Sequence, residues 1–183
     1  MQNSIHPASN SVFSDGVKGA VAGAVGVWAM DRLDWYMFEH ENPAARQQTL
    51  SVRPGGMDPA HVAVQRAADA VGVELSDKQL HPAGQAVHYG IGIAPAVAYG
   101  ALRHRLPVQR PGQDTLYGLA YGVGLFLIQD EIINTALGIA AKPRKYPWQA
   151  HARGLAAHLV LGLVTNTVLN LLQASRPAPR ASH

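Results

Sequence analysis

The chain has 183 residues, enough for one domain, with 48% apolar and 15% charged residues, a formal net charge of +3 and no cysteine. The missing cysteine excludes disulfide frameworks, thiol catalysis and Cys-type zinc or iron–sulfur sites. The charge pattern argues against nucleic acid as a partner, because Lys and Arg sit in short clusters beside apolar runs rather than along one basic face.

Those charges are segregated along the chain. No Asp, Glu, Lys or Arg occurs from Gln79 to Leu102, from Thr115 to Gln129 or from Gly154 to Ser175. A helix facing water needs a polar face, so charge-free runs of about 20 residues predict membrane spans.

In chain order, residues 1–15 are rich in Ser and Asn without periodicity, which predicts a disordered N-terminus. No basic segment precedes the first apolar run, so a removable signal peptide is not expected. Span one is predicted over about residues 16–38, where Gly19, Gly23 and Gly26 form a small-residue edge suited to close helix packing in lipid. In the linker that follows, Asp58-Pro59 reads as a helix N-cap and first position. Val64, Ala67, Ala68, Val71 and Leu75 then recur at helical spacing, predicting an amphipathic helix over about residues 58–75 on the membrane or the bundle mouth. Spans two, three and four are predicted over about residues 82–102, 115–140 and 152–172, with small-residue spacing again at Gly92/Ala96/Gly100 and Gly118/Gly122. Residues 173–183 read as a disordered tail. The predicted fold is therefore all-α, an integral membrane four-helix bundle with an amphipathic linker helix between spans one and two.

Four spans put the N-terminus, the 103–114 loop and the tail on one side, side A, and the linker and Lys142–Lys145 on the other, side B. The Lys and Arg distribution does not choose which side is cytoplasmic. Trp35, Tyr36, Tyr146 and Trp148 all fall at the side-B boundary, as interfacial anchors should.

Ionisable groups within lipid are costly unless they face the bundle interior or water, so each is a functional candidate. Because the helices alternate in direction, Asp31 and Asp34 of span one, His81, Gln85 and His88 of span two, Asp130, Glu131 and Asn134 of span three, and His151 and His158 of span four all fall in the side-B half. His88, His158, Asp130, Glu131, Asp31 and Asp34 are the primary candidates, and Gln85, Asn134, His81 and His151 the secondary ones. In an ideal α-helix Asp130 and Glu131 lie about 100° apart, so only one of them is expected to point fully inward. Pro95 is expected to kink span two or widen a cavity there.

Three explanations fit this convergence. Carboxylates and imidazoles around a vestibule can bind and pass protons or cations. A mixed His/carboxylate set suits a metal ion in a four-helix bundle, although the Glu-x-x-His pair of di-iron bundles is absent; the His81/His88 and His151/His158 repeats leave room for one haem at most. The third explanation is structural, with the groups pairing to fix helix register. No cofactor is required by the sequence, and no catalytic residue is assigned. Asn166, Asn170 and Gln173 form a separate stripe near side A that interhelical hydrogen bonding explains.

At Pro147-Trp148, Gly154 and His158-Leu159-Val160, and at His88 with Tyr99-Gly100, the chain resembles the YagU-like family of small bacterial inner-membrane proteins. The resemblance implies a multi-pass inner-membrane protein and supplies no catalytic residues, since the family's activity is not established. The linker here is compact beside those of relatives. The expected partners are the lipid bilayer and a second copy or another membrane protein; the expected function is a proton- or cation-responsive site, with metal binding or structural assembly as alternatives.

Overall fold

The computed structural model describes residues 7–103 and 105–174, and among them the chain is helical with no strand. Helix α1 (Pro7–His40) is followed by α2 (Pro43–Val52), a short turn of 3-10 helix and α3 (Pro59–Ala70). Helix α4 (Asp77–Arg103) comes next, then α5 (Gln113–Leu125), which continues without a break through a π-helical segment (Phe126–Ile133) into α6 (Asn134–Ala136). Helix α7 (Trp148–Ala174) ends the described chain.

The long helices pack in the order α4, α1, α7, α5, with α1 between α4 and α7, and α7 between α1 and α5. Glycine makes the two outer contacts close. A Cβ on Gly100 of α4 would lie 2.7 Å from the Cα of Gly19 on α1, and one on Gly162 of α7 would lie 3.0 Å from the Cα of Gly122 on α5. Side chains at these points would force the backbones apart, so the small-residue edges are where the helices touch. Around the ring, α4 and α5 meet through the stacked side chains of Tyr99 and Tyr121, 4.5 Å between centroids.

Several boundaries differ from those read in the sequence. Helix α1 starts at Pro7 rather than near residue 16, so residues 7–15 are helical; residues 1–6 of the expected disordered segment lie outside the described residues. Extending a formed helix costs no new nucleus, so a polar stretch without periodicity can continue one. Helix α4 begins at Asp77, five residues before the expected Pro82, and runs on through Pro82 and Pro95 to Arg103. Pro95 has no N–H for the carbonyl of Ile91, a residue on the cavity wall described below. Gln173 and Ala174 are helical, and residues 175–183 lie outside the described residues.

The linker differs most. It contains a helix that hydrophobic spacing did not show, α2, started by Asn42, whose side chain accepts from the Ala44 N–H. The expected Asp58 cap is present, accepting from the Ala60 and His61 N–H groups at 3.0 and 3.2 Å. Of the expected apolar stripe only Ala68 is buried within α3. Ala60, Val62 and Ala68 are buried in α3, whereas Val71 is 74% exposed, because Gly72 at φ +72° turns the chain out of the helix directly after it.

Among the described residues, two helices are long and apolar enough to cross a membrane, Gln113–Ala136 and Trp148–Ala174.

Candidate functional site

A cavity of about 600 Å³ opens between α1, α4, the π-helical segment and α7 at side B, and α2 and α3 line its mouth. Its inner end is reached at Gly92, Leu125 and Leu161. All ten polar residues singled out in the sequence line it: Asp31, Asp34, His81, Gln85, His88, Asp130, Glu131, Asn134, His151 and His158.

Alternating helix direction carries the four groups to one level, and side-chain geometry then pairs them across helices. His88 Nε2 lies 2.8 Å from Asp31 Oδ1, joining α4 to α1. His151 Nδ1 lies 2.7 Å from Glu131 Oε1 and His158 Nδ1 lies 3.8 Å from Asp130 Oδ2, both joining α7 to the π-helical segment. Asn134 reaches the other Asp130 oxygen at 3.4 Å. His81 and Gln85 are exposed at the mouth, with the His81 ring stacked on His61 of α3 at 5.6 Å.

Asp130 and Glu131 both line the cavity, where only one was expected to point fully inward, Glu131 reaching His151 and Asp130 standing near His158. They lie in the π-helical segment, whose hydrogen bonds from residue i to i+5 narrow the angle between neighbours relative to an α-helix.

His151 also lies with Nε2 3.0 Å from the Pro143 carbonyl oxygen, so its ring is held at both nitrogens, by Glu131 and by the loop before α7. His158 differs, because its Nδ1 donates to the Gly154 carbonyl at 2.9 Å and reaches Asp130 only at longer range.

Arg153 escaped the sequence reading. Its side chain is 5% exposed, donates through Nε to Asp34 Oδ1 at 2.9 Å and through Nη1 to Glu41 Oε2 at 2.7 Å, and lies 4.7 Å from the Phe38 ring. The available signal was its placement one turn before the buried Ala157 and two before Leu161 on α7. His61 and Asp58, 2.6 Å apart, also line the cavity from α3; the His61 ring lies over Gly84 of α4, where any side chain would collide with it. Tyr146 belongs to the cavity wall as well. Its hydroxyl accepts from the Ala141 N–H at 3.2 Å and it lines the cavity half-buried, whereas Trp35, which also borders the cavity, Tyr36 and Trp148 are exposed.

Two tethers hold the mouth. Arg66 of α3 donates to the carbonyls of Leu137 and Gly138 at 2.9 and 2.8 Å, and Gln48 of α2 donates to the Lys145 carbonyl at 3.1 Å.

A second polar group lies toward side A. Arg103, 6% exposed, pairs with Asp114, and Asp114 Oδ2 also accepts from Asn166 at 2.8 Å and Asn170 at 2.5 Å. Tyr99 donates to Asn166 Oδ1 at 2.6 Å, and Arg103 Nε donates to the same oxygen at 3.2 Å. The stripe read as interhelical glue does bond α7 to α4 and α5 through Asn166 and Asn170, while the Gln173 amide nitrogen is buried and has no hydrogen-bond partner among the described residues.

Among the described residues no three His, Asp or Glu side chains converge closely enough to hold a metal ion. The pairs stand apart around the wall instead of meeting at one point. No family model, no curated protein and no solved structure matches the chain.

Proposed function

We propose that this chain is a multi-pass protein of the bacterial inner membrane, with four long helices crossing the bilayer and the side-B cavity serving as a proton-responsive site. The membrane reading rests on α5 to α6 and α7, and on how little of the first is covered. Only 17% of the most apolar stretch of Gln113–Ala136 is buried, so this is not a core helix sheltered by the rest of a water-soluble fold. On α1 the row Val17, Val21, Val25 and Trp28 is likewise exposed, an apolar stripe that suits lipid. The YagU-like resemblance belongs to the same proposal and agrees with this layout.

The observation that carries the proton reading is the set of imidazole–carboxylate pairs made between helices around one cavity: His88 with Asp31, His151 with Glu131 and His158 with Asp130. Imidazole changes charge within the physiological range. Adding or removing a proton therefore alters the contacts that join α4 to α1 and α7 to the π-helical segment, and with them the width of the cavity.

The absence of cysteine allows a direct test. A single Gln85→Cys reports access to the cavity, and Arg144→Cys, at an exposed position, corrects for the reagent's own pH dependence. In proteoliposomes the ratio of the two modification rates by an impermeant thiol reagent is expected to change between pH 5 and pH 8, and to change less when His88→Leu and His158→Leu are combined. A ratio independent of pH in the otherwise unchanged chain defeats the proton reading.

A further inference from the structure

The carboxylates around the cavity are matched within the molecule. Asp31 has His88, Asp34 and Glu41 share Arg153, Asp58 has His61, Glu131 has His151, and Asp130 has Asn134 and His158. The loop between the two helices apolar enough to cross a membrane is the opposite case. Lys142, Arg144 and Lys145 stand almost side by side there, and no Asp or Glu occurs anywhere after Glu131 in the sequence. All three basic side chains are exposed, and among the described residues none of them makes an ion pair or a hydrogen bond.

The backbone of this loop is held while those side chains are free. Pro143–Lys145 form a turn of 3-10 helix, the Ala141 N–H donates to the Tyr146 hydroxyl at 3.2 Å, the Pro143 carbonyl lies 3.0 Å from His151 Nε2, and the Lys145 carbonyl accepts from Gln48 at 3.1 Å. A backbone fixed in advance lowers the ordering cost of binding. Its place is set from both ends. Gln113–Ala136 stops just before the loop and Trp148–Ala174 starts just after it, so a bilayer crossed by both helices puts the loop at the side-B surface. Trp148, the first residue of α7, is 73% exposed there, and an indole is favoured at headgroup depth.

We infer that this loop is a docking site for the headgroups of anionic phospholipids, with Lys142, Arg144 and Lys145 meeting the phosphates and Trp148 seated among the headgroups. The inference rests on the membrane reading of the two helices and names the lipid chemistry selected at their junction. Charge complementarity decides the partner. A zwitterionic headgroup brings as much positive charge as negative and gains little from a basic cluster, whereas a headgroup of net negative charge is attracted by each base near the surface. The Arg144 guanidinium can take two phosphate oxygens at once, and the two ammonium groups supply charge without a fixed geometry, which suits headgroups that exchange with their neighbours.

The test reads the fluorescence of Trp148, left as the single tryptophan by Trp28→Phe and Trp35→Phe in the full chain. The chain is reconstituted in phosphatidylcholine vesicles in which part of the lipid is replaced by phosphatidylglycerol, or by phosphatidylcholine, brominated near the headgroup end of the acyl chain; bromine quenches an indole that it touches. The relative binding constant from the two quenching curves is expected to favour phosphatidylglycerol about fivefold or more at low salt. It should fall toward equality in about 1 M salt, and reach equality when Lys142→Gln, Arg144→Gln and Lys145→Gln are combined. A preference that survives the triple substitution overturns the assignment, and so does one that free glycerol phosphate at millimolar concentration abolishes, since the ligand would then be a soluble phosphate. If the triple variant does not fold, the salt comparison on the unaltered loop decides alone, and a preference indifferent to salt overturns the assignment. The two ways to fail separate cleanly: equal quenching by both lipids refutes only this inference, and quenching by neither refutes the membrane reading beneath it.

Discussion

The two polar regions of this bundle use the same kinds of residue to opposite ends. Toward side A, Asp114 receives Arg103, Asn166 and Asn170 at once, and Asn166 is bonded in turn by Tyr99, so acceptor and donors saturate one another between α4, α5 and α7. Toward side B, carboxylates and imidazoles stand in separate pairs around about 600 Å³ of space, the loosest of them His158 and Asp130 at 3.8 Å. A saturated network fixes how helices sit against each other, whereas an unsaturated one beside a cavity leaves bonding capacity for a proton or a ligand. The location of a buried charge therefore says less about its role than whether its partners are complete.

The largest effect that would test this contrast is at the closed end. Asp114→Ala strands the Arg103 guanidinium, which is 6% exposed, and breaking a buried pair from one side costs about 3–5 kcal/mol. Denaturant unfolding in detergent should show a loss of at least this lower bound. At the open end, Asp31→Asn removes one charge from the His88 pair. The His88 side chain is 34% exposed and water in the cavity can solvate it, so the loss should stay at about 1 kcal/mol or less. Equal losses at the two ends would erase the distinction between them.

Much of this arrangement was legible from charge placement. Charge-free runs located the cores of α4, α5 and α7, and alternating direction alone was enough to gather Asp31, His88, Asp130 and His158 at one depth, since a helical register is set by residue count. What could not be read was anything decided by a departure from regular helix or by contacts distant in sequence. Asp130 and Glu131 lie in a π-helical segment that no hydrophobic period announces. Arg153 could not be singled out because its partners, Asp34 and Glu41, lie more than a hundred residues away. The linker was misjudged in phase because α3 buries Ala60 and Val62 beside the expected Ala68, while Val71 stands past the end of the helix. Glycine was the exception among long-range features. Gly19, Gly100 and Gly122 marked the helix contacts in advance, since close approach of two backbones leaves a sequence requirement at the contact itself.

The smallest expected effect concerns the covering of the open end. Arg66 holds α3 to the end of α6 through the Leu137 and Gly138 carbonyls, and both bonds lie in an exposed setting. A hydrogen bond contributes about 1 kcal/mol net, and less where water competes, so Arg66→Ala should leave global unfolding nearly unchanged. Its consequence is local. Hydrogen exchange should accelerate in α3, whose remaining packing is against α4, while α1 and α7 keep their protection. Modification of Gln85→Cys should become faster in the same background, because α3 contributes Pro59, Ala60 and His61 to the cavity mouth. Faster exchange with unchanged modification would mean that α3 frays without opening the cavity, and would move the point of entry to the other tether, where Gln48 of α2 holds the Lys145 carbonyl.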